Sequence, residues 1–211
     1  MDQKYFRIFS EAAAALFIFA LAGAVFAQGV PETSYVQYIS PGKNFRCLQP
    51  AGWSVLESPE YSREVTKADG VEMYRGGLED RVTISVRYYP AGNQLHENME
   101  AYIRAHSRPV LVALPESSYG PVSDMDVKGA RAKTFTRNGI EFESHVYNQR
   151  LGTYVEPLHP RRFPYTEKFI VVPAKSGFVA FRYKSRPDLT AQYEGAFRKV
   201  MESFSFLESA G

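Results

Sequence analysis

Lys168-Phe169-Ile170-Val171-Val172, a break over Pro173 to Gly177, Phe178-Val179-Ala180-Phe181-Arg182-Tyr183-Lys184, and then Pro187 to Phe206 make up the stretch that decides the fold. It reads as strand, turn, strand, helix. In the second strand Val179, Phe181 and Tyr183 share one face by the two-residue period, while Arg182 and Lys184 share the other, so one face is core and one is wet. Along the helix, Leu189, Tyr193, Ala196, Phe197, Val200 and Phe204 recur at spacings of three and four, an apolar stripe that needs a sheet to cover. Sheet and helix are expected to close on each other. None of these residues carries chemistry.

Working upstream, Arg81 to Tyr88 alternates Val82, Ile84, Val86 and Tyr88 with polar residues and reads as a half-buried strand of an antiparallel sheet. A helix is expected from about Gln94 to His106, capped by Asn93, with Leu95, Met99, Tyr102, Ile103 and His106 on one face. Three strands follow, Val122 to Val127, Ala130 to Arg137 and Ile140 to Leu151, separated by Lys128-Gly129 and Asn138-Gly139. The second dipeptide is the stronger two-residue hairpin signal. Nearer the start, Phe45 to Gln49 and Trp53 to Leu56 read as short strands about a Pro50-Ala51-Gly52 turn, and Val71 to Tyr74 as the centre of an irregular hairpin.

At the N-terminus, Lys4 and Arg7 precede an uncharged run from Ala12 to Ala27, with Val25 and Ala27 supplying small residues before a cleavage point. This predicts a signal peptide over 1–27, the alternative being an uncleaved N-terminal membrane anchor; both place the folded part outside the cytoplasm. Residues 28–42, with Pro31 and Pro41 and no period, are expected to be a flexible tether, and 43–208 a single domain. Cys47 is the single cysteine, so no intramolecular disulfide can form, and its place in an alternating strand predicts a buried thiol. The 25 basic and 23 acidic residues leave a formal charge of +2, which gives no electrostatic reason to expect nucleic acid as a partner.

A Pro-Gly before Phe45, the run Pro50-Ala51-Gly52-Trp53, an alternating strand, a helix, a hairpin region and a final helix ending Val200-Met201-Glu202-Ser203-Phe204-Ser205-Phe206 together resemble the PsbP-like proteins and the related DcrB-type envelope proteins. The resemblance covers about residues 40–207. It implies an α+β fold in which an antiparallel sheet lies between helices, an α/β/α sandwich. For function it implies an exported, non-catalytic accessory or assembly protein that binds another envelope protein, at or near the membrane. A photosynthetic role is not carried over, because no residue here specifies one.

His96 and Glu100, four apart with Glu97 between them, would share a helix face but lack a second histidine, and nothing selects His145 or His159 as the missing ligand. Cys47 has no histidine beside it in sequence, and there is no Gly-x-Ser-x-Gly and no phosphate-cradling glycine loop. No catalytic residue, metal ligand or cofactor is therefore assigned. The candidate contact is the segment His159-Pro160-Arg161-Arg162-Phe163-Pro164-Tyr165, read as a loop: prolines lower the entropy lost on ordering, and Arg161, Arg162, Phe163 and Tyr165 are of the types enriched at interface hot spots. The plainer reading is a solvated basic loop with its two aromatics tucked onto the core. Two other functions stay open, a small-ligand pocket ringed by Tyr88, Tyr89, Tyr102 and Tyr147, and a hydrolase using His96 or Cys47.

Overall fold

The computed structural model describes residues 34–207, apart from 78, 110–116, 144, 145, 149, 151, 156 and 158. The expected signal peptide or anchor, the first part of the expected tether, and His145 lie outside the described residues.

In chain order the elements are β1 (Tyr35–Ile39), β2 (Phe45–Pro50), β3 (Ser54–Glu57), α1 (Glu60–Thr66), β4 (Asp69–Arg75), β5 (Val82–Tyr89), α2 (Met99–His106), β6 (Ser118–Tyr119), β7 (Ser123–Val127), β8 (Ala130–Phe142), β9 (Val146–Asn148), β10 (Thr153–Val155), β11 (Arg162–Ala174), β12 (Gly177–Ser185), a 3-10 turn (Pro187–Leu189), α3 (Thr190–Ser203) and β13 (Ser205–Phe206). The main sheet runs β3-β4-β5-β12-β11-β8, with β6 and β7 pairing different lengths of β8. Every pairing is antiparallel. A smaller sheet, β1-β2-β13, packs against the same core, and β9 and β10 form a separate ribbon.

The two-residue alternation of the central strands divides the core in two. On one face Ile84, Val86, Val179, Phe181 and Tyr183 meet the stripe Ala196, Phe197, Val200 and Met201 of α3, joined by Tyr38, Phe45 and Cys47 of the small sheet. Tyr183 stacks on Phe197 at 5.4 Å between ring centroids, and Trp53 meets Tyr193 edge-on at 6.0 Å. On the opposite face Tyr89, Phe135, Phe169 and Phe178 meet Tyr102 of α2. The chain is thus an α+β protein whose antiparallel sheet is flanked by helices, an α/β/α sandwich, as expected. The strand-turn-strand-helix unit that suggested it is present, with the turn over Ala174 to Gly177. Gly177 is required there: at φ +106° a Cβ would stand 2.0 Å from the Tyr89 carbonyl oxygen.

Five sequence expectations are corrected. The stretch 28–42 is not a tether throughout, because Tyr35–Ile39 is a strand registered against β2, with Tyr38 opposite Cys47 and its hydroxyl donating to Glu57. Ser34 onward belongs to the compact unit. Only Tyr38 of that strand is buried, so backbone pairing rather than an alternating pattern defines it.

Asn138-Gly139 is not a hairpin turn but lies inside β8, with Asn138 opposite Thr166 and Gly139 opposite Tyr165. The hairpin turn in this region is Lys128-Gly129, both at positive φ, as a two-residue turn between twisted strands demands.

The helix expected from Gln94 begins at Met99. Asn98, in extended conformation, caps it by accepting from the Ala101 amide at 2.8 Å. Asn93 does the same work for a preceding turn: its side-chain oxygen accepts from Leu95 and His96, and its amide donates to the Pro90 and His96 carbonyls. The last helix stops at Ser203, and Ser205–Phe206 instead pairs with β2. The fifth correction concerns the expected contact loop.

Candidate binding cleft

His159 to Tyr165 is not a loop along its length. Strand β11 begins at Arg162, and Arg162 to Tyr165 pair with Phe142 to Gly139 of β8. On its other side β12 ends at Ser185, opposite Thr166, and the chain then turns away at Pro187. The first four residues of β11 therefore project as an arm supported on one side only. Its two prolines fit this arrangement. Pro164 pairs with β8 where β12 is absent, and Pro173 pairs with β12 where β8 is absent. A residue without an amide donor is tolerated in a sheet only where one neighbour is missing.

Between the arm and β5-β12 opens a polar cleft of about 220 Å³, lined by Glu72, Glu79, Arg81, Thr83, Glu141, Phe163, Tyr165, Arg182, Lys184 and Arg186. Alternation produces it: these strands send their wet face here, where α2 does not reach. Behind the lining lies Glu167, fully buried. Arg137 Nε donates to one of its oxygens at 2.6 Å and Arg182 Nε to the other at 2.8 Å, and each guanidinium adds a second bond through Nη2. Four charge-assisted bonds fill the lone pairs of a carboxylate that has no water to turn to. Burial works against the Arg182 cation, but the charge of Glu167 and its hydrogen bond lead the effects that more than offset this, so its pKa stands above the ordinary value.

Arg161 stands at the rim. Its Nε and Nη2 reach the two oxygens of Glu143 at 3.0 and 2.7 Å, its Nη1 pairs with Glu79, and the guanidinium lies 5.5 Å over the Phe163 ring. The hydrogen bonds from Arg161 hold the Glu143 carboxyl below its usual pKa despite the opposing effect of burial. Lys184 bridges 2.8 Å to Glu141 and sits 4.5 Å over the ring of Tyr165. Arg81 lies over Tyr74 at 5.1 Å, and among the described residues no carboxylate pairs with it.

Of the four residues singled out from sequence, then, Arg161, Phe163 and Tyr165 gather at this cleft. Arg162 does not: it points from the opposite face of β11, over Phe142 at 5.7 Å. Sequence reasoning missed Glu79, Glu141 and Lys184 as parts of the same site. The wet-face alternation of Arg182 and Lys184 was the one signal that could have found any of them.

The other candidates disperse. His96 precedes α2, so it shares no helix face with Glu100, and its ring packs instead against Tyr89 at 5.2 Å and Tyr102 at 4.9 Å. Among the described residues no three metal-ligating side chains cluster. Cys47 is 2% exposed inside the core, where burial pushes its thiol up to about 12, the opposite of nucleophilic activation. Tyr89 and Tyr102 are packed rings and Tyr88 faces the other side of the sheet against Phe206, so they do not ring a pocket. The Tyr147 side chain lies outside the described residues.

No family model matches this chain, and no curated protein does. Among solved structures it is similar to cyanobacterial PsbP (CyanoP) from Synechocystis. That likeness is at 13% identity and a TM-score of 0.45, over 88% of this chain and 99% of that one. It is also similar to LpqN, involved in cell envelope biogenesis of Mycobacterium tuberculosis, at 10% identity and a TM-score of 0.41, covering 83% and 91%. A Bacteroides thetaiotaomicron protein is similar at 13% identity and a TM-score of 0.42, covering 83% of this chain and 49% of that one. The sandwich described above rests on its own strands and helices, not on these likenesses. Among the described residues no helix is long and apolar enough to cross a membrane.

Proposed function

We propose that this chain is an exported, non-catalytic accessory protein that binds another envelope protein through the rim of the cleft, with Arg161, Phe163 and Tyr165 as its contact residues. The observation that carries the reading is the one-sided arm: it holds a guanidinium fixed on a carboxylate and stacked over an aromatic ring, a pre-ordered pair of the types that dominate interface energetics. The cleft's size also favours a protein over a small molecule. At about 220 Å³ and with a charged lining it falls below the roughly 300–1,000 Å³ of mostly apolar small-molecule sites. Several of the charges in and around it are paired, Lys184 with Glu141, Arg182 with Glu167 and Glu79 with Arg161, which suits charge-matched recognition better than proton transfer.

In-cell crosslinking of the native protein, read by mass spectrometry, tests this. Wild type should capture one envelope protein, and Arg161→Ala/Phe163→Ala should lose it while keeping the wild-type circular dichroism spectrum, with some loss of melting temperature because Glu143 loses its partner. Lys199→Ala, on α3 away from the cleft, should keep the capture. No capture above background, or capture untouched by the double substitution, would overturn the proposal.

A further inference from the structure

Helix α2 is eight residues long, and Tyr102 is its one buried side chain. What fastens it to the sheet is a stack of aromatic and imidazole rings. Tyr102 lies flat on His106 at 4.1 Å, His96 meets Tyr102 edge-on at 4.9 Å, and the two imidazoles are 5.6 Å apart. The His106 Nδ1–H donates to the Tyr102 carbonyl at 2.8 Å, which fixes the ring in place. Below the stack are Tyr89, Phe169 and Phe178 of three adjacent strands.

Apart from the exposed Glu97 and Glu100 on their own segment, the charged groups of the described residues that act on these imidazoles are cations. Arg87 comes from β5, Arg137 from β8 and Arg182 from β12, while β11 contributes Glu167, whose two oxygens are both taken by Arg137 and Arg182. The Tyr89 and Tyr102 hydroxyls, from β5 and α2, stay neutral, burial raising both. On the α1 side the contact is the Thr66 carbonyl, which accepts from the Gln94 amide. Among the described residues no carboxylate is paired with either imidazole.

We propose that α2 is an acid-released flap: protonation of His96 and His106 undocks it and uncovers the strip of Tyr89, Phe135, Phe169 and Phe178 beneath it. The direction follows from linkage. Burial, then Arg87, lowers the His96 pKa. Burial also lowers that of His106, outweighing its bond to the Tyr102 carbonyl, with His96, Arg137 and Arg182 adding to the effect. Once undocked, each imidazole returns to about 6.5. The open form therefore binds more protons, the opening constant rises as pH falls through about 6.5, and it levels off below the docked pKa values.

Amide hydrogen exchange on the whole folded protein at pH 7.5 and 5.0, corrected for intrinsic rates, reads this opening helix by helix. The amides of Tyr102 to Ser107 should open about tenfold or more at pH 5.0, while those of Phe197 to Met201 in α3 stay within about twofold. In His96→Gln/His106→Gln the pH dependence of α2 should disappear. Protection of α2 independent of pH, or loss of protection in α2 and α3 in step, would overturn the proposal. Should the double variant not fold, an NMR titration of the two wild-type imidazoles decides: both titrating at or above about 6.5 removes the switch.

Discussion

The ring of Tyr165 lies across Gly139 of the neighbouring strand, so close that a Cβ on Gly139 would stand 2.6 Å from Oη and 2.7 Å from Cζ. Glycine is at this position because an aromatic side chain covers it, not because the backbone turns. Asn138 beside it is an ordinary exposed strand residue. Asn138→Thr should accordingly leave stability within about 0.5 kcal/mol of wild type in urea denaturation, since a surface strand position accepts a β-branched residue. If Asn138-Gly139 formed a hairpin turn at positive φ, the same change would cost well over this.

Removing the carboxylate of Glu167 should be the most damaging single change near the cleft. Arg137 and Arg182 would then face each other with no counter-ion, and breaking a buried pair in this way costs about 3–5 kcal/mol. Both guanidiniums keep some contact with solvent, which places Glu167→Ala at about 3 kcal/mol. Denaturant midpoints of Glu167→Ala and the exposed-site control Glu202→Ala, compared at equal slope, check this.

Cys47 should behave as a reporter of global unfolding. With the thiol buried and its pKa near 12, a disulfide reagent at pH 8 should label it only as fast as the protein opens, and at once in denaturant. Rapid labelling of the native protein would contradict its place in the core.

Gly177→Ala should cost about 2–3 kcal/mol, because φ +106° strains any L side chain and the new methyl meets the Tyr89 carbonyl. The loss should appear as a lower thermal midpoint with the same sheet signature in circular dichroism.

How far the fold could be read from the sequence depended on burial. The strands and helix around Phe181 and Phe197 are half buried, so each turned its periodicity into a visible pattern, and the sandwich followed. Elements held by backbone pairing left no such trace. Tyr35–Ile39 buries one side chain, and Arg162 to Tyr165 looked like a proline-rich loop because the pairing that makes it a strand comes from β8, some 20 residues earlier. Local polar chemistry misled twice: Asn93 and Asn98 are equally good caps in sequence, and Asn138-Gly139 imitates a turn that tertiary packing overrides. At the cleft, Arg161 and Phe163 were found by residue type. Lys184 was legible only as a wet-face strand residue, and Glu79 and Glu141 could not be found, since only the tertiary fold brings the β4–β5 turn and β8 to the same place.

The prolines of β11 bear on how the arm can be approached at all. With no amide hydrogen at Pro164, a foreign strand laid along the unsupported side would meet a missing rung in its ladder, so the arm resists the indiscriminate edge-to-edge zipping that joins unrelated sheets. Whatever settles there must be chosen by side chains. The same residue that lets the strand run past its neighbour makes the exposed end selective.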